Sequence, residues 1–120
     1  MINPNSLVAY FGTQPSIGRK QMQVLEAIIE LVVCSDSEIE EYLQKKYPLE
    51  KWRINKITNR RGELLNDKKL IVIVDGAFHN EDGYPINKYK INPDYKLEKS
   101  HLRPEIKRMI LEQRVQPKMV

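Results

Sequence analysis

A chain of 120 residues has room for one hydrophobic core with an appendage, and is too short for two full-sized domains. Its 41% hydrophobic and 30% charged residues exclude intrinsic disorder, and no apolar run approaches the length of a membrane span. The net charge of +4 is modest, so its distribution says more than its size. From Glu26 to Glu50 seven acids (Glu26, Glu30, Asp36, Glu38, Glu40, Glu41, Glu50) face two bases, Lys45 and Lys46. From Lys51 to Lys69 seven bases (Lys51, Arg53, Lys56, Arg60, Arg61, Lys68, Lys69) face Glu63 and Asp67. A polyanion would be drawn to the second segment and repelled by the first, which orients it as well as binding it.

The first sixteen residues have neither a basic leader nor a long apolar core, so no secretory signal and a cytoplasmic location are expected. Residues 1–16 read as an arm with an apolar patch of Leu7, Val8, Tyr10 and Phe11, expected to pack across the core. A first helix is expected from near Ser16 to about Val33. Its core stripe is Met22, Leu25, Ile28, Ile29 and Val32, and Lys20, Gln23, Glu26, Ala27 and Glu30 lie on the opposite edge. The single cysteine, Cys34, has no partner for an internal disulfide and no neighbours at metal-ligand spacing, so it reads as a small buried residue.

A second helix starts at a capping box. Ser35 is the cap and Glu38 the third helical residue, with Asp36 and Glu38 where the helix dipole favours acids. Ile39, Leu43 and Tyr42 face inward, Lys45 and Lys46 occupy the last turn, and Pro48 stops the helix at Tyr47. After a short connection, Pro48 to Lys51, a third helix is expected from about Trp52 to Leu70. At 100° per residue Ile54, Ile57, Leu64 and Leu65 form one stripe, while Asn55, Lys56, Asn59 and Glu63 form the other with Arg60 on its flank. Amides and cations in that position are the groups that hydrogen-bond base edges and phosphates. Arg61 projects close to the apolar stripe and is expected to pair with an acid of the second helix such as Glu38 or Glu41, unless the third helix starts later.

Beyond Leu70 the period falls from 3.6 to two. Leu70 to Val74 is a β-branched strand, Asp75-Gly76 a turn signal, and Ile86 to Ile91 an alternating strand, with a long loop, Gly76 to Pro85, between them that contains a second turn signal, Asp82-Gly83. Gly62, Gly76 and Gly83 are isolated, and packing or turns are expected to explain each. The whole is therefore expected to be mainly α with a small β-hairpin, an α+β class.

The segments Ile54-Asn55-Lys56-Ile57-Thr58-Asn59-Arg60, Gly62-Glu63-Leu64-Leu65, Leu70-Ile71, Gly83-Tyr84-Pro85 and Asn87-Lys88-Tyr89-Lys90-Ile91-Asn92 resemble the small winged helix-turn-helix proteins encoded by phages and prophages. Asn5-Ser6 with Ala9-Tyr10 resembles the lead-in of that group, and the likeness spans Asn5 to Asn92. It implies a three-helix winged helix-turn-helix domain over residues 17–95, binding double-stranded DNA with the third helix in the major groove, as a transcriptional regulator. The candidate DNA-contacting residues are Arg53, Asn55, Lys56, Thr58, Asn59 and Arg60, with Lys88 and Lys90 on the hairpin. Two features depart from the pattern. Lys69 stands where the group has a glycine before the first wing strand, and the loop Tyr47 to Lys51 is longer.

Residues 93–120 lie outside the likeness, and 96–120 are read as a C-terminal helical extension. Pro104 is placed to open a helix reaching about Val115, with Ile106, Met109 and Ile110 on one side. A helix this short must dock, and a homodimer through it is expected, with docking on its own domain or use as a basic nucleic-acid tail as the alternatives. His79 and His101 have no partner at catalytic or metal-binding spacing, and Glu81-Asp82 offers too few oxygens for calcium. No catalytic residue, metal or cofactor is expected. The acidic hairpin tip, His79-Asn80-Glu81-Asp82, is repelled by phosphate and raises a second reading, a winged helix that binds a host or replication protein.

Overall fold

The computed structural model describes residues 18–99 and 102–115. The expected arm, His101 and residues 116–120 lie outside the described residues. Among the described residues four α-helices and a small antiparallel hairpin make a mainly helical α+β fold: α1 (Arg19–Leu31), α2 (Asp36–Lys46), α3 (Ile54–Asn66), β1 (Ile71–Ile73), β2 (Phe78–His79), β3 (Pro85–Ile86), β4 (Tyr89–Ile91) and α4 (Pro104–Val115). No helix among the described residues is long and apolar enough to cross a membrane.

Helix α1 is the hub, because α2, α3, α4 and β4 all pack on it. A helix enclosed by that many neighbours buries a wider arc than a single stripe. Val24, Leu25, Ala27, Ile28 and Ile29 are all in the core, and Gln23 is buried with them. Gln23 and Ala27 were expected on the outer edge. Gln23 is instead satisfied internally, its Oε1 accepting the Trp52 indole N–H at 3.0 Å. The helix ends at Leu31, before the expected Val33, in a γ-turn: Val32 has φ 70° and ψ −60°, and Val33 N–H donates to Leu31 O at 2.8 Å. That strained reversal delivers Cys34 to the sheet, where it exchanges hydrogen bonds of 3.1 and 2.8 Å with Tyr89.

Helix α2 starts as the sequence predicts. Glu38 N–H donates to Ser35 Oγ at 3.3 Å, and Ser35 N–H donates to Glu38 Oε1 at 3.0 Å. It stops at Lys46 ahead of Pro48, and a 3-10 turn (Pro48–Glu50) followed by Lys51 in the left-handed region (φ 55°) turns the chain into α3.

Helix α3 begins at Ile54, two residues after the expected Trp52, and ends at Asn66, short of Leu70. The terminus is made by Lys69, which adopts φ 57°, the conformation a glycine would supply at that place. Asn92 holds the turn closed: its Nδ2 donates to Lys69 O at 2.9 Å, and its backbone N–H donates to Leu70 O at 2.9 Å.

The hairpin is one continuous ribbon with a break. Ile71 pairs with Ile91, Val72 with Lys90 and Ile73 with Tyr89. Further out Phe78 pairs with Ile86 and His79 with Pro85. Between the ladders Val74 to Ala77 lie opposite Asn87 and Lys88, so the first strand carries a bulge containing Asp75-Gly76. Asp75-Gly76 is therefore not the reversal, and the second turn signal, Asp82-Gly83, lies in it. The true turn spans Asn80 to Gly83, with Gly83 N–H donating to Asn80 O at 3.0 Å and Asn80 Oδ1 accepting the N–H of Asp82 and of Tyr84. Gly83, at φ 84°, takes the left-handed position of this three-residue loop. Most of the expected long loop is thus strand and turn.

Helix α4 begins at Pro104 and ends at Val115, as expected. Ile106 and Ile110 are buried in the same core as α1, together with Leu97 and Leu102 of the segment before it. Gln113 Nε2 donates to Ile29 O at 2.7 Å, and Arg114 donates to the carbonyls of Asn92 and Tyr95. The apolar demand that motivated a homodimer through this helix is met within the chain, while Leu111 and Val115 stay exposed.

Candidate nucleic-acid interface

Which face of α3 looks outward is decided by two anchors. At its entry Trp52 is buried, donating through Nε1 to Gln23 of α1 and accepting from Gln44 Nε2 of α2 at 3.1 Å through its carbonyl. At its middle Arg61 donates from Nε and Nη2 to the two oxygens of Asp36 at 2.9 and 2.7 Å, and its guanidinium lies 4.5 Å from the Tyr89 ring centre. Thr58 Oγ1 donates to the same carboxylate at 3.0 Å. The Arg61 partner is therefore an acid of α2, as expected, and specifically its first residue rather than Glu38 or Glu41. The bonds to Asp36 push the Arg61 pKa further up, against the opposing effect of burial. Burial raises the Tyr89 hydroxyl, with Arg61 pulling the other way.

With Ile57 and Leu64 buried, the opposite side of α3 faces solvent. At 3.6 residues per turn Asn55, Asn59, Gly62 and Asn66 fall within about 60° of one another on that side. The three asparagines are exposed, as are Lys56 beside them and Arg53 at the cap position. No described residue holds the side chains of Arg53, Asn55, Lys56, Asn59 or Lys90 in a hydrogen bond or ion pair. Asn66 was not among the expected site residues, although the same helical period would have found it.

Ile54 corrects the expected core stripe: it is 42% exposed, because Trp52 already fills the core at this end of the helix. Gly62 corrects another expectation. It lies inside a regular helix, outside the left-handed region, and a Cβ built on it would meet nothing within 4 Å. Neither a turn nor internal packing requires it.

Three candidate residues are engaged with carboxylates. Thr58 is tied to Asp36. Arg60 Nε lies 3.0 Å from Glu63 Oε1, and Glu63 is fixed in turn by Gln21 Nε2 of α1 at 2.8 Å. Lys88 Nζ is 3.4 Å from Glu38 and 5.4 Å from the Phe78 ring centre, held where the bulge brings the ribbon against α2. Lys90 is exposed on β4, and at the ribbon tip His79, Glu81 and Asp82 are all exposed.

The amino end of α3 has no side-chain cap and no acid in its first turn. Its free N–H groups therefore keep the affinity for anions that the helix dipole gives them. They open on a cleft of about 470 Å³ lined by Lys51 and Arg53 and also by Glu40.

Among the described residues no three His, Cys, Asp or Glu side chains come together in a way that could hold a metal ion. Cys34 is buried, and burial together with the nearby Glu38 and Asp36 pushes its thiol up to about 12. Comparisons of the chain with protein-family models, with curated proteins and with solved structures each returned no match.

Proposed function

We propose that this chain is a winged helix-turn-helix domain that binds double-stranded DNA in a sequence-dependent manner, with α3 in the major groove, as a transcriptional regulator of the phage or prophage type. The observation that carries the reading is the outward face of α3, where amide and cationic side chains have no partner among the described residues while the helix itself is clamped to α1, α2 and β4. A readout helix needs that combination, a rigid backbone and uncommitted polar tips. The order of three helices and a hairpin supports the fold, as does Cys34 pairing on the edge of β4 away from β1. Arg53, Lys56 and the uncapped end of α3 suit phosphates, and Lys90 would add a flanking contact.

The test is binding of duplex DNA across a salt series. The logarithm of the affinity should fall linearly with the logarithm of salt, and an Arg53→Ala/Lys56→Ala variant should lower that slope by roughly 1 to 2. Unchanged binding by the folded double variant would remove α3 from the interface.

One observation favours a second reading, a protein-interaction module: Leu49 is 93% exposed beside the cleft at the start of α3, and the ribbon tip is acidic. Duplex DNA that fails to bind at low salt would leave that reading in its place.

A further inference from the structure

This inference rests on the DNA-binding reading and concerns what the helix reads. Guanine is most often read by an arginine fork on its O6 and N7, and adenine by a carboxamide whose NH₂ donates to N7 while its oxygen accepts from the N6 amino group. Helix α3 carries two arginines. Arg61 is turned inward, both ends of its fork committed to Asp36, and Arg60 lies against Glu63. What remains on the outward ridge is Asn55, Asn59 and Asn66, all exposed and none held by a described residue. Along the helix axis Asn55 and Asn59 are about 6 Å apart, which is close to two base-pair steps.

Gly62 supplies an independent observation. It sits on the same ridge between Asn59 and Asn66, and glycine inside a helix is destabilising relative to alanine. Among the described residues nothing compensates, since none comes within 4 Å of where a Cβ would stand. A gap in a ridge of longer side chains lets a partner's surface come down onto the helix backbone.

We infer that the Asn55–Asn59–Gly62–Asn66 ridge reads adenine in the major groove, the asparagines making the base contacts and Gly62 giving the clearance for α3 to seat against the duplex. Arg61 serves the fold, and the ridge itself carries no arginine fork with which to read guanine.

The experiment selects binding duplexes from a pool with a randomised centre, using the full chain, and resynthesises the winners with 7-deazaadenine or with 7-deazaguanine. Each analogue removes one N7 acceptor and leaves the Watson–Crick face intact. Loss of one contacted adenine N7 should weaken binding about three- to tenfold, with no effect from the guanine analogue. Asn59→Ala should abolish the sensitivity at its own position. Gly62→Ala should unfold at the same temperature as the parent or higher, and yet bind the selected duplex about tenfold more weakly.

Selected duplexes that respond to the guanine analogue and ignore the adenine one would overturn the adenine assignment and leave DNA binding intact. So would tight binding with no sequence enriched. Undiminished binding by Gly62→Ala would overturn the seating role of Gly62. No binding to any duplex at low salt would overturn the DNA reading itself, and this inference with it.

Discussion

Asp36 and Arg61 join the first turn of α2 to the middle of α3 through a two-pronged ion pair whose side chains are only 19% and 15% exposed. The same carboxylate holds Thr58, and the same guanidinium lies over Tyr89, so one pair fixes α2, α3 and β4 against each other. Removing the carboxylate leaves a largely desolvated guanidinium without its acceptor. We expect Asp36→Ala to cost about 2–3 kcal/mol in urea denaturation, less than a fully buried pair because water still reaches this one. Combining it with Arg61→Met should cost less than the two single changes added together. Strict additivity would show that the pair contributes no coupling.

On the outward face the expected effects are on binding alone. Lys56→Ala should weaken binding to all duplexes, and Asn59→Ala should mainly relax sequence preference, each by on the order of 1–3 kcal/mol or less. Both side chains are exposed and without described partners, so the unfolding midpoint should stay where it is. A large loss of stability in either variant would show that these residues serve the fold.

Helix α4 should behave as part of the core. Ile110 is fully buried, so Ile110→Ala should cost about 2–4 kcal/mol. Deleting the chain after Asn92 removes Leu97, Leu102, Ile106 and Ile110 together, and should give a chain with a broadened or absent unfolding transition. A cooperative transition in the truncated chain would mean that α4 is dispensable. Light scattering of the intact protein tests the homodimer directly, and since the apolar side of α4 is covered in cis, a monomer is the expected result.

The thiol of Cys34 predicts an alkaline weakness. Its pKa rises from 9.0 to about 12 on burial, so the folded chain keeps the proton that the unfolded chain releases. The stabilisation is fully present below pH 9 and is lost as pH rises between 9 and 12. Stability of the parent should therefore fall more steeply across that window than stability of Cys34→Ala, whatever their difference at pH 7. At pH 8 a thiol reagent should label Cys34 only as fast as the chain unfolds. Rapid labelling of the native protein would contradict the burial.

What the sequence by itself determined was set by local rules. The Ser35/Glu38 capping box, the stop at Pro48, Pro104 at the head of α4 and the buried pair Ile57 and Leu64 all depend on neighbours within a few residues, and all lie where the pattern placed them. The outward position of Asn55, Lys56 and Asn59 followed from the helical period in the same way. Tertiary structure decided the rest, because each outcome depends on how separate elements pack against one another. Gln23 is buried since Trp52 needs an acceptor, and Ile54 is exposed since Trp52 has taken its place. Arg61 chose Asp36 over Glu38 and Glu41 through the crossing of two helices, and Lys69 took a glycine's conformation with Asn92 bonded to its carbonyl. Which candidate side chains keep their polar tips uncommitted was settled the same way: Thr58 and Lys88 are chemically as suited to DNA as Lys56, but the packing of α3 and the hairpin on α2 brings a carboxylate of α2 within 3.0 to 3.4 Å of each, where it occupies the hydroxyl or charge that a phosphate would otherwise find.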